Sequence, residues 1–482
     1  MKSYVSYVAM WFSFILTMSI FKLTHYQLLA MATAAAHTNL QVHITNRQIL
    51  KIALPISLAM LVPQINFVTN NIFLGRLGET ELGTAGITGV FYLIFALAGN
   101  GLNSGLQGLL SRRAGENRPG EIGKLFAQGL WISMFFAAAG ILLTYLFAPY
   151  FLSYSLHSET VHSQAIEFLK IRVWGVPFLY LFQMCNALLV GTNSSRYMKY
   201  GFWTQAILNI VLDYALIFGH LGLPELGFNG AAWASVISEI AGMFVVLGII
   251  YYKKFHHRFS LFHHWRFHQP IAGLIFKQSS PLVVQWLLSI FAWLLFYIFI
   301  EHLGERPLAI SNTMRNIFGL FGIFVWAFAS TANAMVSNII GQGKKEQVIF
   351  LVKKIMWLSI GFTALLCLLI NLFPNLFLSV YGRDKSFVAD AIPVIRMVTV
   401  GMMVMSFATV WLNAVTGTAN TKVNLAIEIA AIAIYSLYVY LVLKVFNLGL
   451  VWAWASEVLY WGVLFILSFI YIRSGRWKKK VI

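Results

Sequence analysis

Four carboxylates stand inside long apolar stretches of this chain: Asp213, Glu239, Glu428 and Glu457. A lone acid in a bilayer-spanning segment costs about 2.5–3.5 kcal/mol on insertion scales and marks a functional site by default. In hydrocarbon a carboxyl holds a proton or a cation more readily than a bare charge, so the chemistry suggested is reversible ion binding. Asp213 has the richest company. Asn209 lies one helical turn before it on the same face. Asn66 and Asn70 are one turn apart in one apolar stretch, as are Asn103 and Gln107 in the next. These six groups predict a polar pocket in the first half of the chain. The plainer alternative is interhelical hydrogen bonding, worth about 0.6 kcal/mol per bond. Glu239, Glu428 and Glu457 are further protonatable candidates, against simple pairing with a neighbouring helix.

Other residue types yield less. Gly99, Gly101, Gly105 and Gly108 have the spacing of close helix packing rather than of a phosphate loop, since no strand and no Gly-Lys-Ser/Thr follows. The cluster His256, His257, His263, His264 and His268 reads as a solvated basic loop rather than a metal or lipid site. Cys185 and Cys367 read as small core residues. Arg315 and Arg396 lie near helix ends, where snorkelling explains them. No His-Glu-x-x-His, Gly-x-Ser-x-Gly or kinase signature is present.

Composition says what must position these groups. The chain has 482 residues, 59% hydrophobic and 10% charged, against roughly 25% charge in soluble domains. That excludes a cytosolic enzyme, a disordered protein and a secreted disulfide scaffold. Eight stretches contain no Asp, Glu, Lys or Arg: 52–75, 82–111, 125–158, 173–195, 278–300, 316–343, 355–382 and 397–421. Four more, around 200–218, 229–252, 423–443 and 448–472, each carry one of the four acids. A spanning helix takes roughly 20 apolar residues, so the chain reads as twelve transmembrane helices, numbered here in chain order. With the segment before Ile52 placed inside, Lys and Arg in inside loops outnumber those in outside loops by more than two to one. That bias puts both ends of the core in the cytoplasm. It also accounts for most of the +18 net charge without nucleic acid as a partner.

The sequence repeats itself. Leu77-Gly78-Glu79 recurs as Leu303-Gly304-Glu305, Gly115 as Gly341, and Gly191-Thr192 as Gly417-Thr418, all at offset 226. Trp233-Ala234-Ser235 recurs as Trp454-Ala455-Ser456 at offset 221, so one loop is about five residues shorter. Six helices per unit give both halves the same orientation, with a pseudo-twofold axis along the membrane normal and a central cavity. The expected fold is an all-α polytopic membrane protein: two six-helix lobes in a parallel repeat. Residues 41–252 form the N-lobe, 253–270 a basic cytoplasmic linker, 271–473 the C-lobe and 474–482 a basic cytoplasmic tail. Residues 1–40 fall outside the repeat as an N-terminal extension, signal-like in its apolar run from Val5 to Phe21. The favoured explanation is a start assigned too early, with Met31 as the first residue.

Several motifs are shared with a known family. Ile52-Ala53-Leu54-Pro55 opens helix 1 and Ile72-Phe73-Leu74-Gly75-Arg76-Leu77-Gly78 closes it. Asn209-Ile210-Val211-Leu212-Asp213-Tyr214 lies in helix 5, and Gly230-Ala231-Ala232 opens helix 6. In their order, spacing and duplication, from about Ile49 to Trp477, they resemble the multidrug and toxic compound extrusion (MATE) family. The resemblance implies a V-shaped pair of six-helix lobes that exports organic, often cationic compounds in exchange for H⁺ or Na⁺. It also implies that Asp213 and Asn209 are the helix-5 carboxylate and its partner in an N-lobe cation site, with Ser235 as the helix-6 hydroxyl. The family commonly has Asp where this chain has Asn70, which ligates through oxygen but carries no proton. That departure puts more of the coupling on Asp213. Some members use carboxylates in helices 7 and 10. Here helix 7 offers Gln285 and Ser289, with Glu301 at its outer end, and helix 10 as read has no acid, so Glu428 and Glu457 are offered as substitutes.

The expectation is therefore a secondary antiporter in the inner (plasma) membrane, without a nucleotide site or cofactor, whose coupling ion is H⁺ or Na⁺. Its partners are a small organic substrate, the ion and membrane lipid, and it acts as a monomer. A flippase of the same superfamily for a lipid-linked precursor is the alternative, disfavoured because the mid-helix charges are acidic. A membrane-embedded enzyme or receptor ranks last.

Overall fold

Backbone polar groups find no partner in lipid, so a chain this apolar is confined to helices with internally satisfied bonds. The computed structural model describes residues 40–155, 158–379 and 385–480. The sequence-predicted extension thus lies outside the described residues, apart from Leu40. Among the described residues, 12 helices are long and apolar enough to cross a membrane. They are α1 Asn46–Leu77, α2 Glu79–Gly115, α3 Pro119–Tyr154, α4 Glu159–Gly191, α5 Ser195–Phe218 and α6 Phe228–Tyr252. The second set is α7 Gln269–Glu301, α8 Glu305–Gly341, α9 Lys345–Leu372, α10 Ser386–Gly417, α11 Thr421–Val445 and α12 Leu450–Arg473. Side-chain caps fix some starts. Thr45 accepts from Gln48 N at 3.1 Å ahead of α1, and Ser158 accepts from Val161 N at 3.4 Å ahead of α4.

Many of the helices outrun the apolar stretches that predict them; α8, for one, starts at Glu305 rather than at 316. α4 begins 14 residues before the apolar stretch, at Glu159, and passes through a short 3₁₀ turn at Val173–Gly175. Charge hid this segment: Lys170 and Arg172 broke the apolar run, yet both sit within the helix. α9 stops at Leu372, and a separate short helix, Pro374–Ser379, follows. α10 starts early enough to include Asp390, correcting the reading that it has no acid; Asp390 is exposed and pairs with Arg306 at 2.7 Å.

The repeat is built into the backbone. α2 and α8 both have 37 residues and are offset by 226 at each end. The loop 219–227 between α5 and α6 has its counterpart in the shorter 446–449 between α11 and α12, which is where the five residues are lost. Equivalent positions make equivalent bonds. Ser195 Oγ donates to Ile52 O at 3.3 Å, and at offset 226 Thr421 Oγ1 donates to Gln278 Oε1 at 3.3 Å.

The lobes meet through α1, α2, α7 and α8. Gln107 Nε2 donates to Ser330 O at 2.9 Å, and its repeat mate Asn333 Nδ2 donates to Ser104 O at 3.0 Å. A Cβ on Gly115 would collide with Asn338 O, and one on Gly341 with Arg112 O, again a reciprocal pair. Only glycine permits that approach. Asn338 and Gln342 also bind Leu40 O and Val42 O from the entry to α1 at 2.9 Å. These ties cluster in the half of the bundle that carries Leu40 and Lys480, here called the terminal side. The linker 253–270 lies against α3, where Trp131 Nε1 donates to Trp265 O at 2.8 Å and Gln128 Nε2 to Arg266 O at 2.9 Å.

Candidate functional site

α1, α5 and α6 bring four of the sequence-predicted residues together. Asp213 is fully buried and Asn209 nearly so. With its amide nitrogen turned inward, Asn70 donates to Asp213 Oδ2 and, at 3.3 Å, to Asn209 Oδ1. Asn209 Nδ2 stands 3.5 Å from Ser235 Oγ on α6. Asp213 Oδ1 has no hydrogen-bond partner, and neither does the buried Asn66 Oδ1 on α1. A buried carboxylate with a free lone pair beside further amide and hydroxyl oxygens offers a place for a proton or a small hard cation.

The other two members of the expected pocket belong elsewhere. Asn103 Nδ2 donates to Gln183 Oε1 of α4 at 2.8 Å, and Gln183 Nε2 donates to Asn100 Oδ1 at 3.0 Å. Gln107 ties the two lobes through Ser330, whose Oγ also donates to Gln107 Oε1 at 3.2 Å. The helical faces were read correctly, but facing residues on α4 and α8 took up these polar groups.

Glu239 is neutralised by a cation that sequence reading passed over. Arg172 Nη2 lies 2.6 Å from Glu239 Oε1 and Nη1 2.8 Å from Oε2, a bidentate pair. Tyr92 OH donates to Oε1 at 3.0 Å, and the Arg172 guanidinium sits 3.5 Å from the Tyr92 ring centroid. A carboxylate so held lacks the isolation for which Glu239 was singled out. The lengthened α4 is what carries Arg172 inside.

The C-lobe has a different polar centre. Glu428 on α11 is buried, and no ion pair to it is seen among the described residues. Gln285 Nε2 donates to Oε2 at 3.0 Å, Ser289 Oγ to Oε1 at 2.9 Å, and Tyr460 OH makes a short bond to Oε1. Asn424 Nδ2 orients Gln285 by donating to its Oε1 at 2.7 Å. Ser289 has Gln285 O, 3.0 Å away, as a second acceptor. If Glu428 takes up a proton, that hydroxyl can turn to the carbonyl, so both carboxyl states are satisfied. Gln285 and Glu428, predicted separately, thus form one site; Tyr460 and Asn424 were missed. Glu457 is also buried and accepts from Trp461 Nε1 at 3.0 Å.

The two centres are not repeat copies. At offset 226, Asn70, Asn209 and Asp213 correspond to Phe296, Tyr435 and Val439. One scaffold has been used twice with different chemistry on each side. Among the described residues, no group of three or more His, Cys, Asp and Glu side chains could hold a metal ion.

Two repeat-related six-helix lobes joined at one end, each with a buried carboxyl site, define a membrane transporter. The comparisons sharpen this. The sequence pattern of the MatE family matches residues 55–215 and 281–442, one block in each lobe, and the chain belongs to that family. Its members are transporters and not enzymes. A relative from Thermotoga maritima, described as probable multidrug resistance protein NorM, is 23% identical over 446 residues, 90% of this chain and 94% of that one. Multidrug resistance protein MdtK of Klebsiella pneumoniae is 28% identical over 192 residues, 39% of this chain and 41% of that one. A solved MATE structure in complex with MaL6 superposes with TM-score 0.84 at 18% identity, covering 92% of this chain and 99% of the other.

Proposed function

We propose that the protein is a secondary antiporter that exports organic, cationic compounds in exchange for H⁺ or Na⁺. The observation that carries this is Asp213: buried, with Oδ1 unpartnered, and linked through Asn70 to Asn209, whose amide faces Ser235. Its nearby cation, Arg172, is committed to Glu239. An ion entering at Asp213 draws Asn70 and Asn209 on α1 and α5 toward one arrangement, while an organic cation in the cavity favours another. Exchange follows when the two ligands prefer different states. The descriptions of the Thermotoga and Klebsiella relatives as multidrug resistance proteins support an export role.

Inner-membrane insertion with the terminal side in the cytoplasm is favoured by the excess of Lys and Arg in the loops on that side. The joined terminal side then corresponds to an outward-facing state. The substrate path runs between lobes of one chain, which suits a monomer. The donor-lined pocket at Glu428 favours a second proton site in the C-lobe, with Glu457 as a weaker candidate.

The test is efflux of a panel of organic cations from reconstituted liposomes, with pH and Na⁺ gradients imposed separately. Export driven by either gradient alone supports the reading and names the ion. No export with either gradient, across the panel, overturns it.

A further inference from the structure

A basic cluster on the terminal side is not absorbed by the ion sites. Arg112 on α2 is 6% exposed and its Nε has no hydrogen-bond partner. Its Nη2 reaches only Gly417 O, at 3.4 Å, on the last turn of α10. Lys480 from the tail binds Ala419 O two residues further on. Lys422 follows at the start of α11 and is exposed. Thr421 Oγ1 donates to Gln278 Oε1 at 3.3 Å, which sets the exposed Lys277 of α7 beside the same turn. Burial, and after it the like charges of Lys277, Arg112 and Lys422, hold the Lys480 ammonium below its ordinary value.

Nothing acidic is spare on this face. The acids in its described loops are Glu116, Glu121 and Glu346. Arg113 pairs with Glu116 at 2.5 Å and with Glu121 at 2.9 Å. Lys478 pairs with Glu346 at 2.6 Å. Four cations therefore converge on one turn with no ion pair among the described residues, one of them nine-tenths buried and only partly bonded; Glu116, the acid near Arg112, is taken up by Arg113. An unpaired buried charge is costly, and carbonyl dipoles at a helix C-terminus offset only part of it.

We infer that Arg112, Lys277, Lys422 and Lys480 form a binding site for a phosphate oxyanion at the seam between the lobes. Arg and Lys in convergent array suit phosphate, the guanidinium as a directional donor and the ammonium groups as point charges. The site lies at the membrane face of the bundle, where basic pockets between helices take anionic lipid headgroups. A free phosphate has the same chemistry. Arg112 belongs to the N-lobe and the lysines to the C-lobe and tail, so a bound oxyanion also ties the lobes together on the terminal side.

The experiment is thermal unfolding of the purified full chain in neutral detergent, titrated with short-chain phosphatidylglycerol, short-chain phosphatidylcholine or inorganic phosphate. The wild type is compared with Lys422→Gln/Lys480→Gln, two groups that touch neither ion site. Lys353→Gln, an exposed lysine elsewhere on the C-lobe, is the charge control. Saturable stabilisation by phosphatidylglycerol but not phosphatidylcholine is expected. The double variant should bind about 25-fold more weakly, from about five-fold per lysine lost near an anionic surface, while Lys353→Gln binds as the wild type does. Equal protection by inorganic phosphate would support the site and assign it to a soluble anion. Protection by both lipids alike, or undiminished affinity in the double variant, overturns the inference. Should the double variant fail to fold, raising NaCl in the wild type must weaken phosphatidylglycerol binding; an affinity unchanged by salt overturns it equally.

Discussion

Gly101→Ala should loosen the terminal-side junction. A Cβ built at this position would lie 2.6 Å from Val283 N and 2.7 Å from Val283 Cα, both main-chain atoms of α7. Ordinary contact begins at 3.4 Å, so α2 and α7 must separate locally by about 0.8 Å. No side-chain rotation relieves a clash with backbone. Overpacking of this kind costs about 1–3 kcal/mol. If the cost falls on the joined state alone, the population shifts about 5–150-fold toward the state with the terminal side parted. Spin labels at Lys199 and Lys353, exposed residues in the two lobes, report the separation. Gly101→Ala should enrich the longer distances, whereas Gly248→Ala, where a Cβ meets nothing within 4 Å, should not. A folded Gly101→Ala protein with the wild-type distance distribution and wild-type transport would refute the view that this contact holds the lobes together.

Further predictions concern the buried polar groups. Glu239→Gln strands Arg172 in the N-lobe and should cost about 3–5 kcal/mol, seen as a lowered unfolding midpoint; replacing Arg172 and Glu239 together by Met and Leu should recover most of it. Tyr460→Phe removes one donor to Glu428 and should alter the pH dependence of transport with little change in expression, whereas an identical pH profile would remove Glu428 from the coupling scheme. Gln107→Leu with Asn333→Leu deletes the reciprocal bonds between the lobes. That double variant should favour the parted terminal side in the same label pair, and by more than either single change.

Helix number, the repeat and the short loop were legible in the sequence because each rests on local composition or on a constant offset. The failures share a cause. Arg172 was missed because a charge interrupts an apolar window, and only its distant partner, Glu239, shows why the helix tolerates it. Gln107 was grouped with Asp213, but its amide bonds Ser330, 223 residues away, a partner that spacing along one helix does not reveal. Tyr460 and Asn424 carry no signal of their own. They matter because α7, α11 and α12 fold around Glu428. By contrast the grouping of Asn70, Asn209 and Asp213, which the structure brings into contact, was legible because polar groups one turn apart in apolar helices stand out before their partners are known.

The most direct test of the central claim is ion flux coupled to efflux in liposomes, comparing the wild type with Asp213→Asn. The substitution keeps the side chain's size and removes its charge. Substrate and coupling-ion movement should be stoichiometrically linked in the wild type, and gradient-driven export should be lost in Asp213→Asn with the protein still correctly inserted. Full gradient-driven export by Asp213→Asn would contradict the account, and the coupling site would then have to be sought at Glu428.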